Sequence, residues 1–200
     1  MLFIALQCAA TANRTILVFG DSLSAAHGLR LQQGWVALLA RRLRRQGYRY
    51  RVVNASVSGE TTAGGLVRLP HELKACRPAI LILELGANDG LRGLPLTLAE
   101  KHLAAMIRMA QAAAARVLLV GMLIPPNYGP RYTHEFATMY PQLARRYHLP
   151  LVPFLLKKVA LHARLMQSDE LHPDARGEPL VLDTLWPYLQ PMLTRERRGR

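Results

Sequence analysis

Cysteine is nearly missing from this chain: 200 residues hold two, Cys8 and Cys76. Neither belongs to a C-x-x-C pair, which removes zinc-ribbon and thioredoxin-like readings. Aromatic residues are scarce at 6%. Only Tyr48 and Tyr50 lie among the arginines, so the interleaved basic and aromatic surface that stacks nucleic-acid bases is lacking. Long hydrophobic runs are lacking too. The apolar stretch 73–86 is broken by Lys74, Arg77 and Pro78, so it falls short of the roughly 20 residues that a membrane-spanning helix needs. There is no internal repeat, linker or low-complexity segment.

Acidic residues are also few, 13 against 26 Lys and Arg, and the formal net charge is +13. The excess is concentrated at Arg41, Arg42, Arg44, Arg45, Arg49 and Arg51, and again at Arg195, Arg197, Arg198 and Arg200. No nucleic-acid motif accompanies them. They read as a solvated helix face and a basic tail, with no nucleic-acid partner; transient contact with an anionic membrane surface stays compatible with such a charge. Apart from His172, the histidines at 27, 71, 102, 134, 148 and 162 are scattered, with no pair at helical ligand spacing. No metal site is expected from that pattern.

The first residues differ in kind. Met1 to Leu6 is a short apolar run, and small residues follow it as far as Ala10-Thr11-Ala12. That pattern is the apolar core and A-x-A cleavage site of a secretory signal without its basic start, so residues 1–12 are read as a truncated leader. The protein is expected to be periplasmic or secreted. Residues 13–200 are expected to form one domain, a length that can bury a sizeable core. Cleavage after Ala12 would leave Cys76 alone, without an intrachain partner.

Strand and helix patterns alternate over the rest of the chain. Strands are predicted at Ile16–Gly20, Arg51–Val57, Ala79–Leu85, Arg116–Leu123 and Leu149–Phe154, most of them continuous apolar runs typical of strands buried on both faces. Helices are predicted at Trp35–Arg45, Thr61–Arg77, Leu96–Ala115 with Thr97 as cap, Thr133–Tyr147 and Gly177–Leu193. Pro70 should end, kink or split the second of these. Five strands separated by helices imply a five-stranded parallel sheet in a three-layer α/β/α sandwich. Ligands of such sheets bind beyond the carboxyl ends of the strands.

Small and polar residues follow those ends. Gly20-Asp21-Ser22-Leu23-Ser24 comes after the first strand, Ser58-Gly59-Glu60-Thr61-Thr62 after the second and Gly86-Ala87-Asn88-Asp89-Gly90 after the third. Asp169-Glu170-Leu171-His172-Pro173 lies past the fifth. Acyl transfer to a hydroxyl needs a base, a group that orients the base, and donors for the oxyanion. Ser22, His172, Asp169, Gly59 and Asn88 supply these parts, and the spacing of three between Asp169 and His172 lets one turn carry both. Asp21 and Asp89 are expected to cap helices and brace the loops. The G-x-S-x-G elbow of a conventional α/β-hydrolase is missing.

These blocks closely resemble those of the SGNH (GDSL) hydrolase family. The runs V-V-N-A-S-V-S-G, L-E-L-G-A-N-D-G-L-R-G, P-P-N-Y-G-P-R-Y and the final H-P are similar to the bacterial acyl-CoA thioesterase I, lysophospholipase and arylesterase group. The likeness runs from about Ile16 to Leu193. It implies a flavodoxin-like fold with Ser22 as nucleophile, His172 as general base and Asp169 as its orienting acid. Oxyanion donors would be the Ser22 and Gly59 backbone N–H groups and the Asn88 amide. It implies no cofactor, a small acyl ester or thioester as substrate, and a monomer. Leu123, Ile124, Pro125 and Tyr128 are expected to line the acyl-chain site. Ala87 and Glu170 depart from the usual glycines, and the extra carboxylate of Glu170 bears on the pH optimum. The alternatives are a carbohydrate O-acetylesterase of the same family, or a non-enzymatic basic protein binding nucleic acid or membranes.

Overall fold

A computed structural model describes residues 14–194; the expected leader at 1–12 and the arginines from 195 onward lie outside them. Five parallel strands make one sheet: β1 (Arg14–Gly20), β2 (Tyr50–Asn54), β3 (Ile80–Glu84), β4 (Arg116–Val120) and β5 (Leu151–Val152). Their order is β2-β1-β3-β4-β5, the flavodoxin-like arrangement in which the chain reverses direction across the sheet between β1 and β3. Ile16 to Phe19 and Ile80 to Leu83 are fully buried, which is why both segments read as unbroken apolar runs.

The helices are α1 (Trp35–Arg45), α2 (Thr62–Cys76), the short α3 (Ala87–Leu91), α4 (Leu96–Ala112), α5 (Pro130–Tyr147) and α6 (Glu178–Leu189). α1 packs with α6, and α2, α4 and α5 pack in a row. These two sets cover the two faces of the sheet and complete the three-layer sandwich. Trp35, Phe19, Phe136 and Tyr140 are the bulkiest buried side chains.

Several boundaries differ from the sequence reading. β2 stops at Asn54 rather than Val57 and β4 at Val120 rather than Leu123, while β5 is reduced to two residues. Hydrogen bonds to the sheet still continue past two of these ends, from Val57 N to Gly20 O and from Gly121 N to Val152 O. α4 starts with Pro95 in the cap position, so Thr97 is not its cap. Its end comes early, before Ala114 at φ 59°. α5 begins at Pro130, where a missing N–H costs nothing.

Pro70 neither ends nor splits α2, which runs from Thr62 to Cys76. Pro70 is exposed while its neighbours Leu69 and Leu73 are buried. The Leu66 carbonyl that the proline leaves free can therefore turn to water while the apolar face holds the helix in place.

One end-to-end contact joins two helices. Gly34 gives α1 no side-chain cap, and the buried Glu178 at the start of α6 accepts the Trp35 N–H at 2.6 Å. Burial pushes the Glu178 carboxyl up from 4.5 to about 7, with the Trp35 bond opposing the rise. The folded chain therefore holds a proton there that the unfolded chain releases, so stability is fullest at low pH and falls as pH rises from about 4.5 to about 7. Glu178→Gln keeps the acceptor and removes the titration. Urea midpoints at about pH 5 and about pH 8 should differ less for this variant than for the wild type; equal differences would assign the pH dependence elsewhere.

Candidate active site

The carboxyl edge of the sheet collects all four polar segments. Ser22 lies in the turn just after β1, its carbonyl accepting from His27 N at 3.2 Å. Ser22 Oγ is 2.8 Å from His172 Nε2, and His172 Nδ1 is 2.7 Å from Asp169 Oδ2. The second carboxylate oxygen of Asp169 accepts from Leu171 N at 3.0 Å and His172 N at 3.1 Å. One carboxylate thus holds both the ring and the backbone that carries it. Burial works against its charge, but the bonds from the His172 ring and the two N–H groups prevail and hold the acid down at about 2. The geometry suits an imidazole whose Nδ1 donates to Asp169 and whose Nε2 accepts from Ser22 Oγ. Glu170, between the two residues, has φ 58°, a left-handed backbone that glycine adopts without strain.

Asn88 lies in α3. Its Nδ2 donates to Asp21 Oδ2 at 3.2 Å, so the amide is brought alongside the Ser22 turn. Gly59 has φ 79°, and Arg92 clamps its carbonyl at 2.9 Å. The bend between β3 and α3 runs through Gly86 at φ 118°, where a Cβ would sit 2.5 Å from the Tyr140 hydroxyl. That hydroxyl donates to Leu85 O at 3.1 Å.

Beneath these groups lies a set of buried carboxyls. Glu84, the last residue of β3, accepts from Ser24 Oγ at 2.7 Å and Asp21 N at 3.3 Å. Burial, with Asp21 as neighbour, pushes the Glu84 carboxyl well above its ordinary range. Asp21 is itself raised from 3.8 to about 6 by burial, against the opposing pull of the Leu23 N–H, His172 and Asn88. Gly20 makes room for the pair, since a Cβ there would lie 2.8 Å from Ser24 Oγ and 2.9 Å from Glu84 O. Asp89 accepts from Thr62 N at 2.8 Å and Thr62 Oγ1 at 2.6 Å. It therefore caps α2 rather than its own helix. Asp21 and Asp89 brace the loops as the sequence predicts; Glu84 is the one polar residue of an apolar strand.

The residues expected to meet an acyl chain are not equivalent. Leu123 and Pro125 are exposed. Ile124 is buried, its Cγ2 2.9 Å from where a Cβ on Gly90 would stand. Tyr128 donates to Leu91 O at 2.7 Å and stacks on Tyr132, which ties this loop to the segment after α3.

Residues 18–179 match the model of the GDSL-like lipase/acylhydrolase family. The chain belongs to that family. Esterase TesA of Pseudomonas aeruginosa is 50% identical over 91% of this chain and 90% of its own length. The thioesterase 1/protease 1/lysophospholipase L1 of Escherichia coli is 39% identical over 94% of this chain and 88% of its own. The structure of the psychrotrophic esterase EstA from Pseudoalteromonas sp., inhibited by monoethylphosphonate, superposes with a TM-score of 0.86 at 40% identity, covering 89% of this chain and 97% of that one. The GDSL segment of this chain is the turn after β1, and the sheet order above is the frame on which it rests.

Asp89 gives the site a direct test of stability. Asp89→Ala should cost about 1–3 kcal/mol in urea denaturation, because the buried Thr62 N–H and hydroxyl lose their acceptor. Asp89→Asn, which keeps an acceptor oxygen, should recover part of the loss; identical losses in both would point to charge rather than hydrogen bonding.

Proposed function

We propose that this family member is a serine esterase and thioesterase acting on acyl esters and thioesters (aryl esters, acyl-CoA, lysophospholipids) through an acyl-enzyme on Ser22. The observation that carries the reading is the continuous chain from Ser22 Oγ through His172, at 2.8 Å, to Asp169, at 2.7 Å. Ser22 attacks the carbonyl carbon and its proton passes to His172 Nε2. Asp169 stabilises the imidazolium so formed. The oxyanion is met by the backbone N–H groups of Ser22 and Gly59 and by the Asn88 amide. Collapse breaks the ester or thioester bond, and His172 returns the proton to the departing alcohol or thiol. Water then repeats the sequence on the acyl-enzyme, releasing the carboxylic acid and freeing Ser22.

Three features support this assignment. Asp169 is held ionised, the Asn88 amide is fixed by Asp21, and Arg92 fixes the Gly59 peptide. On the substrate side the exposed Leu123 and Pro125 are the first contacts for an acyl chain, with Tyr128 and the buried Ile124 shaping the loop behind them. The reading extends to one hydrolase domain over residues 13–200, acting as a monomer after export, with no cofactor. The apolar start and the Ala10-Thr11-Ala12 site support export.

Hydrolysis of p-nitrophenyl esters from acetate to palmitate tests this reading. The wild type should prefer medium or long chains, and Ser22→Ala should lose about a thousandfold or more in rate. Activity confined to acetate would favour the carbohydrate O-acetylesterase, and turnover unaffected by Ser22→Ala would end the proposal. Leu123→Ala should move the chain-length optimum while leaving p-nitrophenyl acetate turnover within about twofold, because one exposed apolar contact contributes at most about 1–2 kcal/mol to the chain and nothing to the chemistry.

A further inference from the structure

His27 has no part in the mechanism above, yet its ring lies 4.6 Å from that of His172, centroid to centroid. Sequence spacing offers no sign of this, because the two stand at opposite ends of the chain. The placement is built. His27 N donates to Ser22 O at 3.2 Å, and Gln167 Nε2 bridges His27 O at 2.8 Å and Pro173 O at 2.9 Å. The backbone turns through positive φ on both sides, at Ala26 (60°) and Gly28 (71°). One side of His27 is thereby tied to the Ser22 turn and the other to the loop that carries His172.

A ring nitrogen of His27, a ring nitrogen of His172 and a carboxylate oxygen of Asp169 all lie within 4.8 Å of one another. Neighbouring ligand atoms around a tetrahedral zinc ion stand about 3.4 Å apart, given bonds of about 2.0–2.2 Å. The His172–Asp169 pair, hydrogen-bonded at 2.7 Å, has to open slightly and the wider pairs have to close by about an ångström, movements open to His27 and Asp169, both of them exposed. We infer that His27, Asp169 and His172 form a binding site for a divalent transition-metal cation of the zinc class, whose occupancy switches the hydrolase off. Two imidazoles and one carboxylate select zinc, copper or nickel over magnesium or calcium, and three protein ligands leave a position for water.

The consequence for catalysis follows whichever His172 nitrogen binds. A metal on Nε2 takes the lone pair that would accept the Ser22 proton. A metal on Nδ1 displaces Asp169 and moves the ring proton to Nε2, which then presents a donor to Ser22 instead of an acceptor. The metal and the Ser22 proton therefore compete for one imidazole, and inhibition should be reversible on chelation.

The effect on rate rests on the role proposed for His172, whereas binding does not, and the experiment separates them. Hydrolysis of p-nitrophenyl butyrate is followed as ZnCl2 is added in a non-coordinating buffer, then as EDTA is added, with MgCl2 in parallel. His27→Phe keeps a ring against His172 and offers no lone pair; each protein is scored against its own metal-free rate. The wild type should be inhibited by zinc, restored by EDTA and indifferent to magnesium, and His27→Phe should need at least about tenfold more zinc. Zinc affinity of Ser22→Ala, by competition with a chromogenic chelator, should fall at least about tenfold when His27→Phe is added. Equal inhibition of wild type and His27→Phe, equal inhibition by magnesium, or unchanged zinc affinity would overturn the inference. Should the protein show no serine-dependent hydrolysis, the proposed function fails, while the affinity still decides the metal site.

Discussion

Three acidic side chains withdrawn from water organise the working edge of this molecule. Asp21, Glu84 and Asp89 are all nearly inaccessible, and a buried carboxyl must find hydrogen-bond donors within the protein or bear a large desolvation cost. Those donors come from different elements: Ser24 and the Asp21 N–H for Glu84, Leu23 and Asn88 for Asp21, and Thr62 for Asp89. These hydrogen bonds draw the loops after β1 and β3 and the start of α2 onto one spot, and they leave Glu84 Oε1 without a partner among the described residues. Ser22 and Asn88 owe their proximity to this arrangement as much as to the sheet.

Burial keeps Glu84 from adding its negative charge to this edge. Glu84 is pushed up by burial and by Asp21, and Asp21 is raised to about 6. Asp169, much more open to solvent, is kept ionised at about 2 and faces the imidazole. Similar acids a short distance apart are thus driven in opposite directions by burial and by hydrogen bonding.

Much of this was legible in the sequence. β1 and β3 are buried on both faces and so read as apolar runs, which fixed the sheet class. Small and polar residues past four of the five strands then marked the edge where Ser22, Asn88, Asp169 and His172 gather. Other features had no local signal. Helix ends depend on which residue meets solvent, so Pro70 could sit inside α2 and Pro95 could stand where Thr97 was expected. The function of Glu84 depends on what covers it, and the approach of His27 to His172 depends on two loops meeting in space. The arginine excess is also partly structural: Arg42 pairs with Asp183 and lies over the Trp186 ring, and Arg68 pairs with Glu60 over Phe19.

Asp169 and His172 share a single turn whose carboxylate binds both the ring and the backbone N–H beneath it. Any displacement of that turn carries acid and base together as a preassembled cartridge. Two links join it to the Ser22 turn: the 2.8 Å contact of His172 with Ser22, and the Gln167 amide that holds His27 O and Pro173 O together. The molecule thus resembles a clutch with one plate fixed to the sheet and the other on a loop, the two kept in register by a strap.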